Sequence, residues 1–80
     1  MIRNEIRTFI IDTFLFGDGG RLTDTTPLLE SHVVDSTGVL EIVSFLENHF
    51  GITVDDDDLR PENLNSVEKI AGFLERKKGG

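Results

Sequence analysis

The sequence predicts an all-α fold, a small helical bundle of three long helices and one short helix. Apolar residues recur at helical spacing in three separate segments, each of which also carries a polar face. Helix start and stop signals bound these segments. Helices with one apolar stripe bury those stripes against one another, so we expect them to pack as a bundle. A chain of 80 residues is expected to form one domain, residues 1–80.

The first helix is expected over roughly residues 2 to 15. Its apolar residues follow the i, i+4, i+7, i+8 pattern and comprise Ile2, Ile6, Phe9, Ile10 and Phe14. Glycines, aspartates, threonines and a proline then crowd residues 16 to 27, which predicts a long loop. The loop continues through an apolar stretch, and we expect this stretch to pin it onto the core: Leu28, Leu29, Val33 and Val34.

The second helix is expected from Ser36 to about Phe50. Its apolar positions are Val39, Ile42, Val43, Leu46 and Phe50. Asp35 is a good N-cap, and Gly51 is a typical residue just beyond a helix C-terminus. Ser36 therefore occupies the first helical position, and we expect its hydroxyl to point outward.

The last third of the chain predicts a loop and a final helix. Residues 52 to 64 predict a loop with at most one short helical turn, near Asp56 to Leu59. Asn65 as N-cap with Glu68 three residues later resembles a capping box and starts the final helix. The core face of this helix comprises Val67, Ile70, Ala71 and Leu74, with Phe73 alongside. The closing residues RKKGG are expected to fray.

The charge distribution indicates which classes of macromolecule the protein can bind. The net charge is −7, and eleven carboxylates but a single base, Arg60, lie between Asp24 and Glu68. An acidic field of this kind disfavours nucleic acid and attracts basic protein surfaces. The sequence contains no cysteine, and nothing in it resembles a signal peptide or a run long enough to cross a bilayer. We therefore expect a cytoplasmic monomer with no nucleic-acid or membrane partner.

Ser36 does not have the surroundings of a nucleophile. His32 and His49 are poorly placed to act as its base, and the VDSTG context is not the G-x-S-x-G elbow of a hydrolase. The run Asp55–Asp58 lacks the alternating ligands, the glycine and the distant glutamate of an EF-hand. The sequence thus indicates no enzyme, no catalytic residue and no metal site. A phosphate ester does suit this serine, since an anion at a helix N-terminus is stabilised by about 0.3–1 kcal/mol.

The stretch DSTGVLEIV resembles the D-S-L-x-x-V-E-L-V signature of the acyl carrier protein family. LTDTTPLLESHVVDS is similar to the family's loop before the serine. FLENHFGITVDDDDL and NSVEKIAGFLE are similar to its acidic second helix with the segment that follows, and to its last helix. The resemblance covers nearly the whole chain.

This resemblance implies a fold and a function. It implies the family's four-helix bundle, with 4′-phosphopantetheine attached to Ser36 by a phosphopantetheinyl transferase and with acyl or aminoacyl groups held on the arm as thioesters. The implied partners are acyl- or aminoacyl-activating ligases and acyl-transferring enzymes with basic docking surfaces. The implied partner-binding residues are Asp35, Thr37, Val39, Leu40, Glu41 and Glu47. The family's habit of sheltering acyl chains implies a pocket at Leu46, Ile70 and Phe73.

Two features of this stretch differ from what the family signature leads one to expect. Thr37 replaces the leucine after the serine, and Gly38 lowers helix propensity relative to alanine by about 1 kcal/mol in a helix interior and by somewhat less this close to the helix end. The sequence looks more like discrete carriers that serve dedicated acyl- or aminoacyl-activating ligases.

Two rival functions remain open. The first rival is an acidic helical adaptor without a prosthetic group, in which Ser36 is only a cap or a kinase target. The second is a ubiquitin-like carrier that uses the C-terminal Gly-Gly, which would require a β-grasp fold.

Overall fold

The fold is a helical bundle, as the sequence predicts. The computed structural model describes residues 2–17 and 22–79 and contains three long helices, α1 (Ile2–Phe14), α2 (Ser36–Phe50) and α4 (Val67–Gly79). A short helix, α3 (Pro61–Leu64), and a 3₁₀ turn (Asp56–Asp58) lie between α2 and α4. No strand occurs within the described ranges, so the β-grasp rival is wrong. Part of the first loop, residues 18–21, and the final glycine of the Gly-Gly pair lie outside the described residues.

The boundaries of α2 are those that the sequence predicts. Asp35 has extended backbone angles and its side chain accepts a hydrogen bond from the Gly38 N–H, which makes it the N-cap. Gly51 adopts the left-handed conformation, with φ 70°, and its N–H donates to the Glu47 carbonyl. A non-glycine residue would pay a steric cost at this φ, which explains why glycine ends the helix.

One hydrophobic core joins all four helices and the long loop. Its buried apolar residues are Ile6, Ile10, Leu22, Leu28, Val34, Ile42, Leu46, Leu64, Val67, Ile70, Ala71, Phe73 and Leu74. Leu28 and Val34 come from the loop before α2 and are 1% and 2% exposed. The prediction that this stretch pins the loop onto the core is confirmed.

Residues 22–24 of the long loop are hydrogen-bonded to α1 and to α4. The Arg7 guanidinium donates to the Leu22 carbonyl at 3.0 Å, and Arg3 pairs with the Asp24 carboxylate at 3.1 Å. The Asp24 carbonyl accepts from the Glu68 N–H at 2.8 Å, in the first turn of α4. These bonds fix the path of the chain toward Ser36.

Three predictions about the last third of the chain are wrong. The segment before α4 holds two short helical elements instead of at most one, because Pro61 has the backbone geometry of a first helical residue and starts α3. Ser66, and not Asn65, caps α4, since its hydroxyl accepts the Lys69 N–H at 3.1 Å. The helix also continues to Gly79, where the sequence predicted fraying.

The extended end of α4 is joined to the acidic segment. The Lys77 ammonium lies 2.7 Å from the Asp58 carboxylate and 3.4 Å from that of Asp55. The hydrogen bond from Lys77, followed by that from the Asp55 N–H, lowers the pKa of Asp58. The hydrogen bond to Asp58 likewise raises the pKa of Lys77. The last turn of α4 thus has a tertiary partner, which sequence periodicity does not reveal.

Candidate functional site

Ser36 is exposed at the first position of α2, as the sequence predicts. Asp35 stands immediately before it, and its Oδ1 accepts the Gly38 N–H at 2.7 Å. This hydrogen bond satisfies one of the free N–H groups of the first turn, and the others remain near the serine. The partial positive charge of the helix N-terminus favours an anion at this place.

The backbone next to Ser36 is closely packed from beneath. Gly38 is buried, and a Cβ on it would lie 2.8 Å from Val34 Cγ1 and 2.9 Å from Phe14 Cε1. The first turn of α2 therefore rests directly on the loop before it and on the end of α1. A larger residue here would require Val34, Phe14 or the turn that presents Ser36 to move.

A groove opens beside the serine. It has a volume of about 290 Å³, and its lining is mostly apolar: Leu29, Ser36, Val39, Leu40, Leu59, Arg60, Pro61, Leu64 and Asn65. Leu40 and Leu59 are 61% and 41% exposed, so part of the groove wall is open to solvent. An elongated group attached to the Ser36 hydroxyl has this groove within immediate reach.

Asn65 holds the groove together. It is 6% exposed, its Oδ1 accepts the Leu29 N–H at 3.0 Å, and its Nδ2 donates to the Glu30 carboxylate at 3.0 Å. Its carbonyl also accepts the Leu28 N–H at 2.8 Å. Asn65 therefore ties the loop that precedes Ser36 to the junction of α3 and α4. The sequence pattern predicts a helix cap at Asn65, which is wrong, and carries no signal for its bonds at the groove.

The residues predicted for partner binding do not all lie in equivalent surroundings. Thr37, Leu40 and Glu41 are exposed on α2, and Val39 is half-buried in the groove wall. Glu47 is half-buried, and its Oε2 accepts the Val54 N–H at 2.9 Å. Glu47 thus has a structural bond that holds the segment after α2, whereas Glu41 presents its carboxylate to solvent.

The three residues predicted for an acyl pocket lie in the core. Leu46 and Ile70 have no exposed surface, and Phe73 is 3% exposed. Phe73 contributes to a shallow polar groove with Asp58, Asn63, Arg76 and Lys77, away from Ser36. Acyl binding at these three residues stays a prediction.

A second, larger groove lies between α1 and α2. It has a volume of about 420 Å³, and Phe9, Phe45 and His49 contribute its aromatic side chains. Phe9 and Phe45 stack with ring centroids 4.1 Å apart, and Phe45 stacks on His49 at 4.9 Å. His49 Nε2 lies 3.0 Å from the Glu5 carboxylate, and this hydrogen bond lowers the pKa of Glu5. Since Ser36 is not part of this groove, size alone does not identify the functional site.

The described part of the chain contains neither a metal-binding cluster nor a helix that could span a membrane. Within residues 2–17 and 22–79, no cluster of three or more histidine, aspartate or glutamate side chains is placed to hold a metal ion. No helix there has both the length and the apolarity needed to cross a membrane.

Comparisons with known proteins identify the family of the chain. A family profile described as "Phosphopantetheine attachment site" matches residues 7–74, a range that includes Ser36. The probable acyl carrier protein PigG of Serratia sp. is 27% identical over 78 residues, 98% of this chain and 90% of that protein. The acyl carrier protein of Thermotoga maritima is 33% identical over 70 residues, 88% of this chain and 84% of that protein.

Two further relatives differ in their descriptions. The D-alanyl carrier protein of Streptococcus mutans is 36% identical over 69 residues, 86% of this chain and 85% of that protein. A chain in a solved structure described as "Crystal structure of FAD-dependent dehydrogenase" superposes with a TM-score of 0.77 at 25% identity. The match covers 86% of this chain and 97% of that chain, so the two chains are of similar length.

Proposed function

The chain belongs to the acyl carrier protein family, and on this premise we propose that Ser36 is the residue to which its prosthetic group is attached. The protein is a carrier that bears 4′-phosphopantetheine and transports acyl or aminoacyl groups. The thiol of this group, when attached, supplies the thioester chemistry that a chain without cysteine cannot supply. The exposure of Ser36 at the start of α2, beside the apolar groove, is the observation that carries the proposal.

The residues around Ser36 suit a phosphate ester. The Asp35 side chain caps α2 and so keeps the serine on the first turn. The helix N-terminus stabilises an attached anion by about 0.3–1 kcal/mol. Leu29, Val39 and Leu59 give the adjoining groove an apolar wall, against which the aliphatic part of the arm can lie. These residues bind and orient the arm, and we propose that the chain itself catalyses no reaction.

Carrier proteins of this family interact with phosphopantetheinyl transferases and with ligases or acyltransferases. We propose that such enzymes dock on the exposed face of α2 beside Ser36. Leu40, 61% exposed, offers an apolar centre, and Glu41 offers a carboxylate one residue further along. A basic surface on the partner complements the net charge of −7. Asp35 and Thr37 lie at the edge of this face.

The cargo is proposed to come from a dedicated acyl- or aminoacyl-activating ligase. The similarity to a D-alanyl carrier protein supports an aminoacyl group, and the similarity to two acyl carrier proteins supports an acyl group. The groove of about 290 Å³ is adjacent to Ser36, whereas Leu46, Ile70 and Phe73 are packed in the core. We therefore favour the groove for contacts with the arm. We further propose that the carrier is a monomer and acts in the cytoplasm.

Intact mass spectrometry after incubation with coenzyme A and a phosphopantetheinyl transferase tests the attachment site. We expect the wild-type chain to gain the mass of one phosphopantetheine and Ser36→Ala to gain none. Ser44→Ala is the matched control, because Ser44 is an exposed serine in the middle of the same helix. A full mass gain on Ser36→Ala would refute the assignment.

A further inference from the structure

Arg60 is a lone basic residue in an acidic stretch of the sequence. Between Asp24 and Glu68 it is the single lysine or arginine among eleven carboxylates. An arginine in such surroundings would be expected to pair with a nearby acid. The Asp58 carboxylate, two residues away, is bonded to Lys77 and to the Asp55 N–H; the Lys77 hydrogen bond is the largest cause of its lowered pKa, and the charge of Arg60 acts on it only from a distance, as the smallest cause. Within the described part of the chain, no carboxylate oxygen lies within 4.0 Å of the Arg60 guanidinium.

The backbone holds Arg60 at the groove beside Ser36. Arg60 is the N-cap residue of α3, with an extended conformation at φ −130° and ψ 148°. Its carbonyl accepts the N–H groups of Asn63 at 2.9 Å and Leu64 at 3.1 Å. These bonds involve only its main chain, so they leave the guanidinium free while they fix the position of its Cα.

Arg60 supplies the charge in a groove that is otherwise mostly apolar. The amide of Asn65 is already used by the Leu29 N–H and by Glu30, so it has little left to offer a ligand. The Arg60 side chain is exposed, so its guanidinium is open to an anionic group. Its planar fork also matches two oxygens of a phosphate or a carboxylate.

From this placement we propose that Arg60 is a positioning residue that pairs with an anionic group attached through Ser36, the phosphodiester of the arm. The pair would hold the start of the arm over the groove instead of leaving it free in solvent. The inference rests on the proposed attachment at Ser36. A carboxylate at the end of the cargo offers the same chemistry from a second source, and the experiment distinguishes the two.

Nuclear magnetic resonance of the Arg60 side chain and of the arm phosphorus tests the proposal. The Arg60 Nε–H resonance is compared in four forms: apo, holo, holo carrying a neutral acyl group, and holo carrying an acyl group with a terminal carboxylate. A change between apo and holo identifies the phosphodiester as the partner. A change confined to the carboxylate-bearing form assigns the anion to the cargo instead and overturns the phosphodiester pairing.

Variants of Arg60 supply an independent readout on the phosphorus. We expect Arg60→Gln to shift and narrow the ³¹P resonance of the arm, and Arg60→Lys to give a smaller change because it keeps the charge but loses the fork. Lys78→Gln, which removes one positive charge beside Phe50 at the opposite end of α2 from Ser36, should leave the resonance unchanged. A ³¹P resonance that is identical in wild type and Arg60→Gln would overturn the proposal.

Intact mass of the same samples separates the two proposals. A phosphopantetheine mass gain that depends on Ser36, with no response of Arg60, overturns the pairing alone. Absence of any Ser36-dependent mass gain overturns both the attachment site and the pairing. Circular dichroism of each variant confirms that the helices are intact, which we expect because the Arg60 side chain is exposed.

Discussion

Replacing Gly38 with alanine tests whether close packing beneath the first turn of α2 outweighs helix propensity. Sequence considerations alone predict that the substitution stabilises the helix, by at most about 1 kcal/mol. The structure predicts the opposite sign. The new Cβ would lie 2.8 Å from Val34 Cγ1 and 2.9 Å from Phe14 Cε1, both closer than carbon atoms pack without displacement.

The nearest neighbour, Val34, cannot yield at low cost. Val34 is β-branched and 2% exposed, so its methyl group has no free space to rotate into. The Asp35 Oδ1 would also lie 3.3 Å from the new Cβ, and this oxygen forms the cap of the helix. Overpacking of this kind costs about 1–3 kcal/mol. Taking about 2 kcal/mol for overpacking and subtracting a propensity gain of about 1 kcal/mol, we expect a net loss of about 1 kcal/mol.

Thermal unfolding of the apo protein, followed by circular dichroism, measures this effect. A loss of about 1 kcal/mol lowers the melting temperature of a domain of this size by about 4–8 °C. Gly72→Ala is the matched control in the interior of α4, where the new Cβ would meet only Arg76 Nη1, at 3.6 Å. We expect that control to gain about 0.4–1 kcal/mol. A melting temperature that rises in Gly38→Ala as much as in Gly72→Ala would refute the packing argument.

Two further predictions concern the acidic residues. Glu41→Lys should slow association with a transferase or ligase by about tenfold at low salt without changing stability. Glu47→Lys should also lower the free energy of unfolding by about 1 kcal/mol, since it loses the Val54 N–H bond. Stopped-flow binding and urea unfolding measure the two effects, and equal stability of both variants would contradict the different roles given to Glu41 and Glu47. Stability should fall in acid, because the pKa of Asp58 is lowered in the folded state, so its contribution is present above the unfolded pKa and is lost as the pH falls below about 4. The stability difference between wild type and Lys77→Gln in urea should therefore be present at neutral pH and vanish near about pH 2, and a difference that persists there would show that Lys77 acts otherwise.

The sequence by itself determined the features that depend on neighbouring residues. The limits of α2 follow from Asp35 before its first turn and Gly51 after its last, and both act on backbone groups within four residues. Apolar spacing likewise predicted the extent of α1 to within one residue, and the core contribution of Leu28 and Val34. Since Ser36 sits at a boundary set by these local signals, its presentation at a helix start was predictable as well.

The tertiary structure decided the features that depend on residues far apart in the chain. Asn65 matched a local capping pattern, but its side chain bonds Leu29 and Glu30, some 35 residues earlier, and Ser66 caps α4 in its place. Sequence spacing could not distinguish these roles, because an asparagine side chain that can cap a helix can equally bond a distant backbone group.

The same limit applies to Glu47, Gly38 and Arg60. Glu47 and Glu41 look alike on the sequence, yet only Glu47 meets a backbone N–H from the segment after α2. The sequence identifies Gly38 only as a residue of low helix propensity, whereas the structure shows that Val34 and Phe14 leave no room for a side chain there. Arg60 stood out as the single base of the acidic stretch, but only the tertiary structure brings it to the groove that contains Ser36. Local hydrogen bonding sets where helices begin and end, whereas packing between distant segments decides which side chains share a site.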